Sequence, residues 1–144
     1  MVECKFCGGS ELRDAVMLPV CKMRSGMLYL MKDQTLPGRM LLAYKDHIRK
    51  LSSLSRDEYR AFMDDVYSAA KAINEVFNPD KINYFVFGDK SDHLHIHLVP
   101  KYKDKVEWGA FFTMDRVGWT PLSDAGYREL VCALKNSLQN GGLA

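Results

Sequence analysis

Apolar and polar positions change period several times along the chain, and each change marks an element. After a short polar and Met-containing stretch flanked by Pro19 and Gly26, Met27 to Met31 (MLYLM) is an apolar run closed by Lys32 and Asp33, which predicts a strand. Leu36-Pro37-Gly38 is a turn signal, and Arg39 to Tyr44 (RMLLAY) predicts a second strand that pairs antiparallel with the first through a longish loop. From Ser55 the period becomes helical: Tyr59, Phe62, Met63, Val66, Ala69, Ala70, Ile73, Val76 and Phe77 recur at three- and four-residue steps. Ser55 and Glu58 form a capping box at its start, and Asn78-Pro79 supplies the stop.

Lys81 to Phe87 (KINYFVF) is rich in aromatic and β-branched residues and ends at Gly88-Asp89, while His93 to Val99 alternates sharply. These two predict the central pair of strands. The segment from Lys101 to Gly118 has no clean period, although Val106 to Met114 can add an edge strand. Ser123 caps a last helix running to about Leu138, with Tyr127, Leu130, Val131 and Leu134 inward and Asn140-Gly141-Gly142 closing it. No repeat or linker divides the 144 residues. The expectation is one α+β domain over residues 1–144: an antiparallel five-stranded sheet carrying one long internal helix and a C-terminal helix, residues 123–138.

Composition narrows the partners. With 47% hydrophobic and 26% charged residues the chain is globular and not disordered. Its longest apolar runs, such as Met40 to Tyr44 and Tyr84 to Phe87, fall far short of the ~20 residues of a membrane span, so no membrane partner is expected. The N-terminus MVECKFCGGS lacks a signal pattern, which points to a reducing, cytoplasmic setting. Twenty Lys and Arg against eighteen Asp and Glu leave a formal +2, too balanced for a nonspecific nucleic-acid polymer binder. Of the four cysteines, Cys4 and Cys7 form a Cys-x2-Cys pair whose spacing suggests metal, whereas Cys21 and Cys132 read as free thiols.

The histidines are few and placed together. Three of the four occupy positions 93, 95 and 97 in HLHIHLV, and the fourth is His47. On a strand, His93, His95 and His97 share one face while Leu94, Ile96 and Leu98 anchor the other, with neighbouring imidazoles starting ~7 Å apart. That row is open to three explanations: chance histidines on a surface strand, a His-x-His pair holding a catalytic metal, or a nucleophilic imidazole. A neutral imidazole can attack phosphorus and form a phosphoramidate that water later cleaves, with a neighbouring histidine handling the proton.

HLHIHLV also resembles, at every position, the His-φ-His-φ-His-φ-φ signature of the histidine triad (HIT) family of hydrolases and transferases. The likeness extends to Pro37-Gly38 with the following RMLLAYKDH, to the long helix and to NYFVFGDK, and it is greatest to the bacterial nucleotide-processing branch. It implies a HIT-like fold, nucleotide hydrolysis or nucleotidyl transfer at the α-phosphate of dinucleoside polyphosphates or nucleoside phosphoramidates, and a homodimer with a sheet continuous across two subunits. Carried over by position, it implies His95 as the nucleophile and His97 as the residue that orients it and contacts phosphate, with His93 a metal ligand as in zinc-bearing members. Arg39 stands where many members have His, and Tyr44 replaces a usual Pro; both bear on substrate choice and loop shape. The rival classes are a metal-dependent hydrolase using His95 and His97 as ligands, and a non-catalytic zinc-stabilised nucleotide-binding adaptor.

Cys4-x2-Cys7 followed by Gly8-Gly9 makes a knuckle, residues 1–10, that lacks two ligands; His47 and His93 can complete a closed Cys2His2 site holding one structural zinc, the combination found in zinc-bearing members of the resembling family. For substrate, Asp33 resembles the family's ribose-binding acid, its alternative being a solvated turn residue. In the turn before the triad, Asp89 replaces the usual Asn, and since an acid repels phosphate, Lys90 and Ser91 are the expected phosphate contacts. Phe6 and Leu28 can line a base pocket or simply belong to the core, and Trp108 and Trp119 can close the site or pack elsewhere.

Overall fold

The computed structural model describes residues 4–114 and 118–142. A short helix α1 (Glu11–Val16) leads into β1 (Met17–Lys22), β2 (Gly26–Met31) and β3 (Met40–Tyr44). Helix α2 (Arg56–Phe77) then crosses to β4 (Lys81–Phe85) and β5 (His95–Lys101), and α3 (Asp124–Asn140) closes the order. The five strands form one sheet in the order β1-β2-β3-β5-β4, with every neighbouring pair antiparallel. The architecture is the expected α+β, HIT-like one.

Each helix begins where its side chains can cap it. Ser55 accepts from the amide of Glu58 while Glu58 reaches back to the Ser55 amide, and Asn78 ends α2 in the left-handed region (φ 47°) ahead of Pro79. Ser123 does the same for α3 by accepting from Gly126 N. The apolar stripe of α2, with Phe62, Val66, Ala69, Ala70 and Ile73, meets Leu134 and Leu138 of α3 and lies on Leu28, Leu30, Met40, Leu42, Leu94, Ile96 and Leu98 of the sheet. Buried Asp65, on the same helix, accepts from the backbone and hydroxyl of Ser25 and so ties α2 to the β1–β2 turn. Both helices therefore cover one face, and the other is left to the odd-numbered side chains of β3 and β5.

Two expectations change. The fifth strand is Met17–Lys22, at the edge beside β2, and not Val106 to Met114. Residues 106–114 instead run through turns: Glu107 and Gly109 take positive φ (65° and 78°), and the Lys101 amine donates to the carbonyls of Glu107 and Ala110. The triad strand is interior, but its predicted central partner β4 is the outer edge, and β3 is its other neighbour. None of the described helices is long and apolar enough to cross a membrane.

Candidate active site and metal cluster

β5 lies between β3 and β4, and its register, Leu41↔His97, Leu42↔Ile96 and Ala43↔His95, fixes which way each side chain points. Leu94, Ile96 and Leu98 enter the helix-side core, so the three imidazoles share the opposite face. His93 lies two residues ahead of the strand yet keeps its parity. The face is not bare. His93, His95 and His97 are only 2%, 4% and 4% exposed, because Phe6 packs against His93 and His95 (centroids 5.2 and 5.4 Å) and Phe87 and Phe112 pack against His97 (5.8 and 6.1 Å).

Backbone carbonyls set the tautomers. His95 donates from Nδ1 to the carbonyl of His93 at 2.7 Å, which leaves Nε2 without a proton and with its lone pair available. Burial is the first cause lowering the His95 pKa, with the charge of Lys5 and His93 adding to it against the bond to the His93 carbonyl. His97 is pushed down to about 3, first by burial and then by the charges of His95, Arg39 and Lys5, so it is neutral at pH 7. The His95 and His97 rings meet edge to face at 5.1 Å.

The knuckle arrives at the other end of the row. Cys7 N donates to Cys4 O at 3.1 Å, closing the turn that presents both sulfurs. Cys4 Sγ and Cys7 Sγ each lie 3.4 Å from His93 Nδ1, and Cys7 Sγ lies 3.2 Å from His47 Nδ1. All four ligand atoms fall within 4.8 Å of one another. Ligands at zinc–sulfur and zinc–nitrogen bond lengths on a tetrahedron stand about 3.5 Å apart, so the spacing fits the ion. His93 donates its Nε2 proton to Tyr44 O at 2.7 Å, leaving Nδ1 bare on the sulfur side, as a metal ligand requires. The Cys7 thiol is pushed up by burial, then by the hydrogen bond and charge of Cys4, a penalty that a bound cation would remove.

The expected substrate residues are placed less evenly. Asp33 is half-buried; burial raises its pKa, but hydrogen bonds from Thr35 and Thr120 and the charge of Arg39 bring it below the usual carboxylate range. Its Oδ1 accepts from Thr35 N, Thr35 Oγ1 and Thr120 N at 3.0, 2.6 and 3.2 Å, closing a turn. Lys90 is exposed and Ser91 half-buried on the β4–β5 loop, ahead of His93. Leu28 is fully buried on the helix side of the sheet, so it cannot line a pocket beside the imidazoles, whereas Phe6 is on the correct face. Trp108 borders a cleft along β4, and Trp119 borders a groove beside α3; among the described residues it is Phe6, Phe87 and Phe112 that meet the triad rings. Sequence reading ties Arg39 to substrate choice through the His it replaces but does not place it on this face, and it does not single out Phe112. For Arg39 the signal was its parity with Leu41 in the second strand; for Phe112 there was none.

A sheet with three imidazoles in a row on one face and a Cys2His2 cluster at one end of that row defines a recognisable class. The HIT domain family model matches residues 20–104, more than half of the chain and including the whole triad, and the protein belongs to that family. No curated protein matches. Among solved structures, a histidine triad protein from Marinobacter aquaeolei VT8 is 20% identical, with 96% of this chain and 99% of that one covered and a TM-score of 0.82. A hypothetical histidine triad nucleotide-binding protein from Sulfolobus tokodaii is 18% identical over 95% and 93%, with a TM-score of 0.69. A Zn-bound histidine triad family protein from Mycobacterium smegmatis is 20% identical over 88% and 87%, with a TM-score of 0.60. At these identities the likeness is one of fold.

Proposed function

We propose that the protein is a cytoplasmic nucleotide hydrolase or nucleotidyl transferase that cleaves dinucleoside polyphosphates or nucleoside phosphoramidates at the α-phosphate through a covalent intermediate on His95. The observation that carries this is the bond from His95 Nδ1 to the His93 carbonyl, which aims an unprotonated Nε2 away from the backbone. In the first step Nε2 attacks the α-phosphorus and the bond to the leaving oxygen or nitrogen breaks; the leaving group keeps that electron pair and takes a proton from solvent, to which the attacking water of the second step returns one. The ring becomes cationic, and its Nδ1–H bond to the carbonyl strengthens as it does. Water then attacks phosphorus and loses a proton, and the phosphorus–nitrogen electron pair returns to Nε2. His97, held neutral by burial, serves as a hydrogen-bond partner to a phosphoryl oxygen. Asp33 is the proposed ribose contact, and Lys90 and Ser91 approach the phosphate from the β4–β5 loop.

Metal belongs elsewhere in this scheme. The cluster spaced for an ion takes His93 and leaves out His95 and His97, which supports a structural zinc on Cys4, Cys7, His47 and His93 over a catalytic one on the triad pair. Such an ion ties the knuckle, and with it Phe6, to the sheet. The Zn-bound relative and the nucleotide-binding relative support the two halves of this proposal by analogy. A homodimer joined at the β4 edge completes it.

A panel of adenylylated amines and dinucleoside polyphosphates tests the activity. The wild-type protein should turn over at least one class, and His95→Ala should lose at least about a thousandfold in kcat, since the two-step route vanishes with the nucleophile. Full activity in His95→Ala would overturn the proposal.

A further inference from the structure

Arg39 places a buried guanidinium on the triad face of the sheet. Along β3, Met40 and Leu42 enter the helix-side core while Leu41 and Ala43 face the triad, so Arg39, two residues before Leu41, falls on the triad side. With Leu41 paired to His97 and Met40 to Leu98, Arg39 stands one rung beyond His97, at the end of the row opposite the Cys4, Cys7, His47 and His93 cluster. Gly38, with φ 86° and the Phe77 ring 2.6 Å from where a Cβ would sit, fixes the turn that launches it. The guanidinium carbon is 4.8 Å from the centre of the Phe112 ring, and its charge is felt at both His97 and Asp33. At the same place His97 Nδ1 is buried with no hydrogen-bond partner among the described residues.

We propose that Arg39 is a phosphate-binding residue, whose guanidinium takes a non-bridging oxygen of the phosphoryl group that His95 attacks, beside the unsatisfied nitrogen of His97. This rests on the nucleotide-cleaving role proposed above. His97, the imidazole next to Arg39 on this face, is neutral at pH 7 and brings hydrogen bonds but no charge, whereas a guanidinium remains protonated and matches the paired oxygens of a phosphate. Lys5 brings a second cation from the knuckle, with its amine 5.1 Å from the Phe6 ring centre, but on a flexible stem without the planar fork. Arg39, His95 and His97 are equally covered, at 4% exposure each, on the same face of the sheet.

Calorimetric titration of the full chain with a nucleoside and its 5′-monophosphate, adenosine with AMP and guanosine with GMP, separates this contact from a structural one. The wild-type protein should prefer the monophosphate by about tenfold or more, as a charge-assisted bidentate pair implies. Arg39→Met should leave nucleoside affinity unchanged and lose that preference; Arg39→Lys should keep part of it. A monophosphate preference that survives in Arg39→Met overturns the inference and leaves the nucleotide proposal standing. Wild-type protein that binds neither nucleoside nor monophosphate overturns both. If Arg39→Met loses its fold, Arg39→Lys decides, because an unchanged preference there rules out the bidentate contact.

Discussion

His97 is the residue at which burial has the clearest consequence. Its folded pKa of about 3 lies below its ordinary 6.5, so below pH 6.5 the unfolded chain takes up a proton that the native imidazole refuses. Stability associated with His97 is therefore intact above about pH 6.5 and falls as pH drops toward 3, by about 1.4 kcal/mol per pH unit at full effect. We expect His97→Gln to flatten the fall in denaturation midpoint between pH 6.5 and 4 relative to wild type, measured by urea titration at fixed ionic strength. Identical slopes in the two proteins would contradict the buried neutral state. The chemistry of this row was legible from alternation alone: Leu94, Ile96 and Leu98 demanded a core, which forced the histidines together on the opposite face. Its roof was legible only at Phe6, a candidate for the site that does pack on His95; Phe112 comes from a segment with no period, which does not announce the face it will cover.

At the scale of elements, the knuckle shows how a short irregular segment gains a fixed place. Residues 4–7 have no strand or helix of their own, and α1 has no buried residue, so local structure alone gives them little reason to remain docked. The zinc proposed for Cys4, Cys7, His47 and His93 would supply that reason, because metal affinity becomes folding free energy. The Cys4→Ser/Cys7→Ser double variant should lower Tm by roughly 5–10 °C in a domain of this size while reducing turnover only in part. Elemental analysis should give about one zinc per chain in the parent and almost none in the variant. Metal-free wild-type protein of the same stability would return both cysteines to ordinary thiols. β1 escaped the sequence because Pro19 and a register shift between Pro19 and Cys21 break its alternation, which an edge strand tolerates. Val106 to Met114 misled for the opposite reason: its aromatic content suits a strand, but left-handed Glu107 and Gly109 turn the backbone out of one.

Across the whole molecule, the sheet ends on one side at β4, where Tyr84 is 51% exposed and Phe111 of the neighbouring loop is 86% exposed. An unpaired strand flanked by exposed aromatic rings invites a second copy. Sedimentation at micromolar concentration should give a dimer, and Tyr84→Asp should shift it toward monomer; a wild-type monomer of 16.5 kDa would contradict the assembly. Position in the sheet was the least legible feature of the sequence, because hairpin order and spatial order part company where β5 inserts between β3 and β4. That insertion brings His95 beside Ala43 and His97 beside Leu41, one rung from Arg39, and the proposed nucleophile depends on it. Intact-protein mass spectrometry after rapid quenching of turnover at neutral pH tests the covalent intermediate on His95 directly. A transient species heavier by one nucleotidyl group should appear, lost in acid and mapped by peptide sequencing to His95. Turnover without any such adduct, or an adduct that persists in His95→Ala, would contradict it.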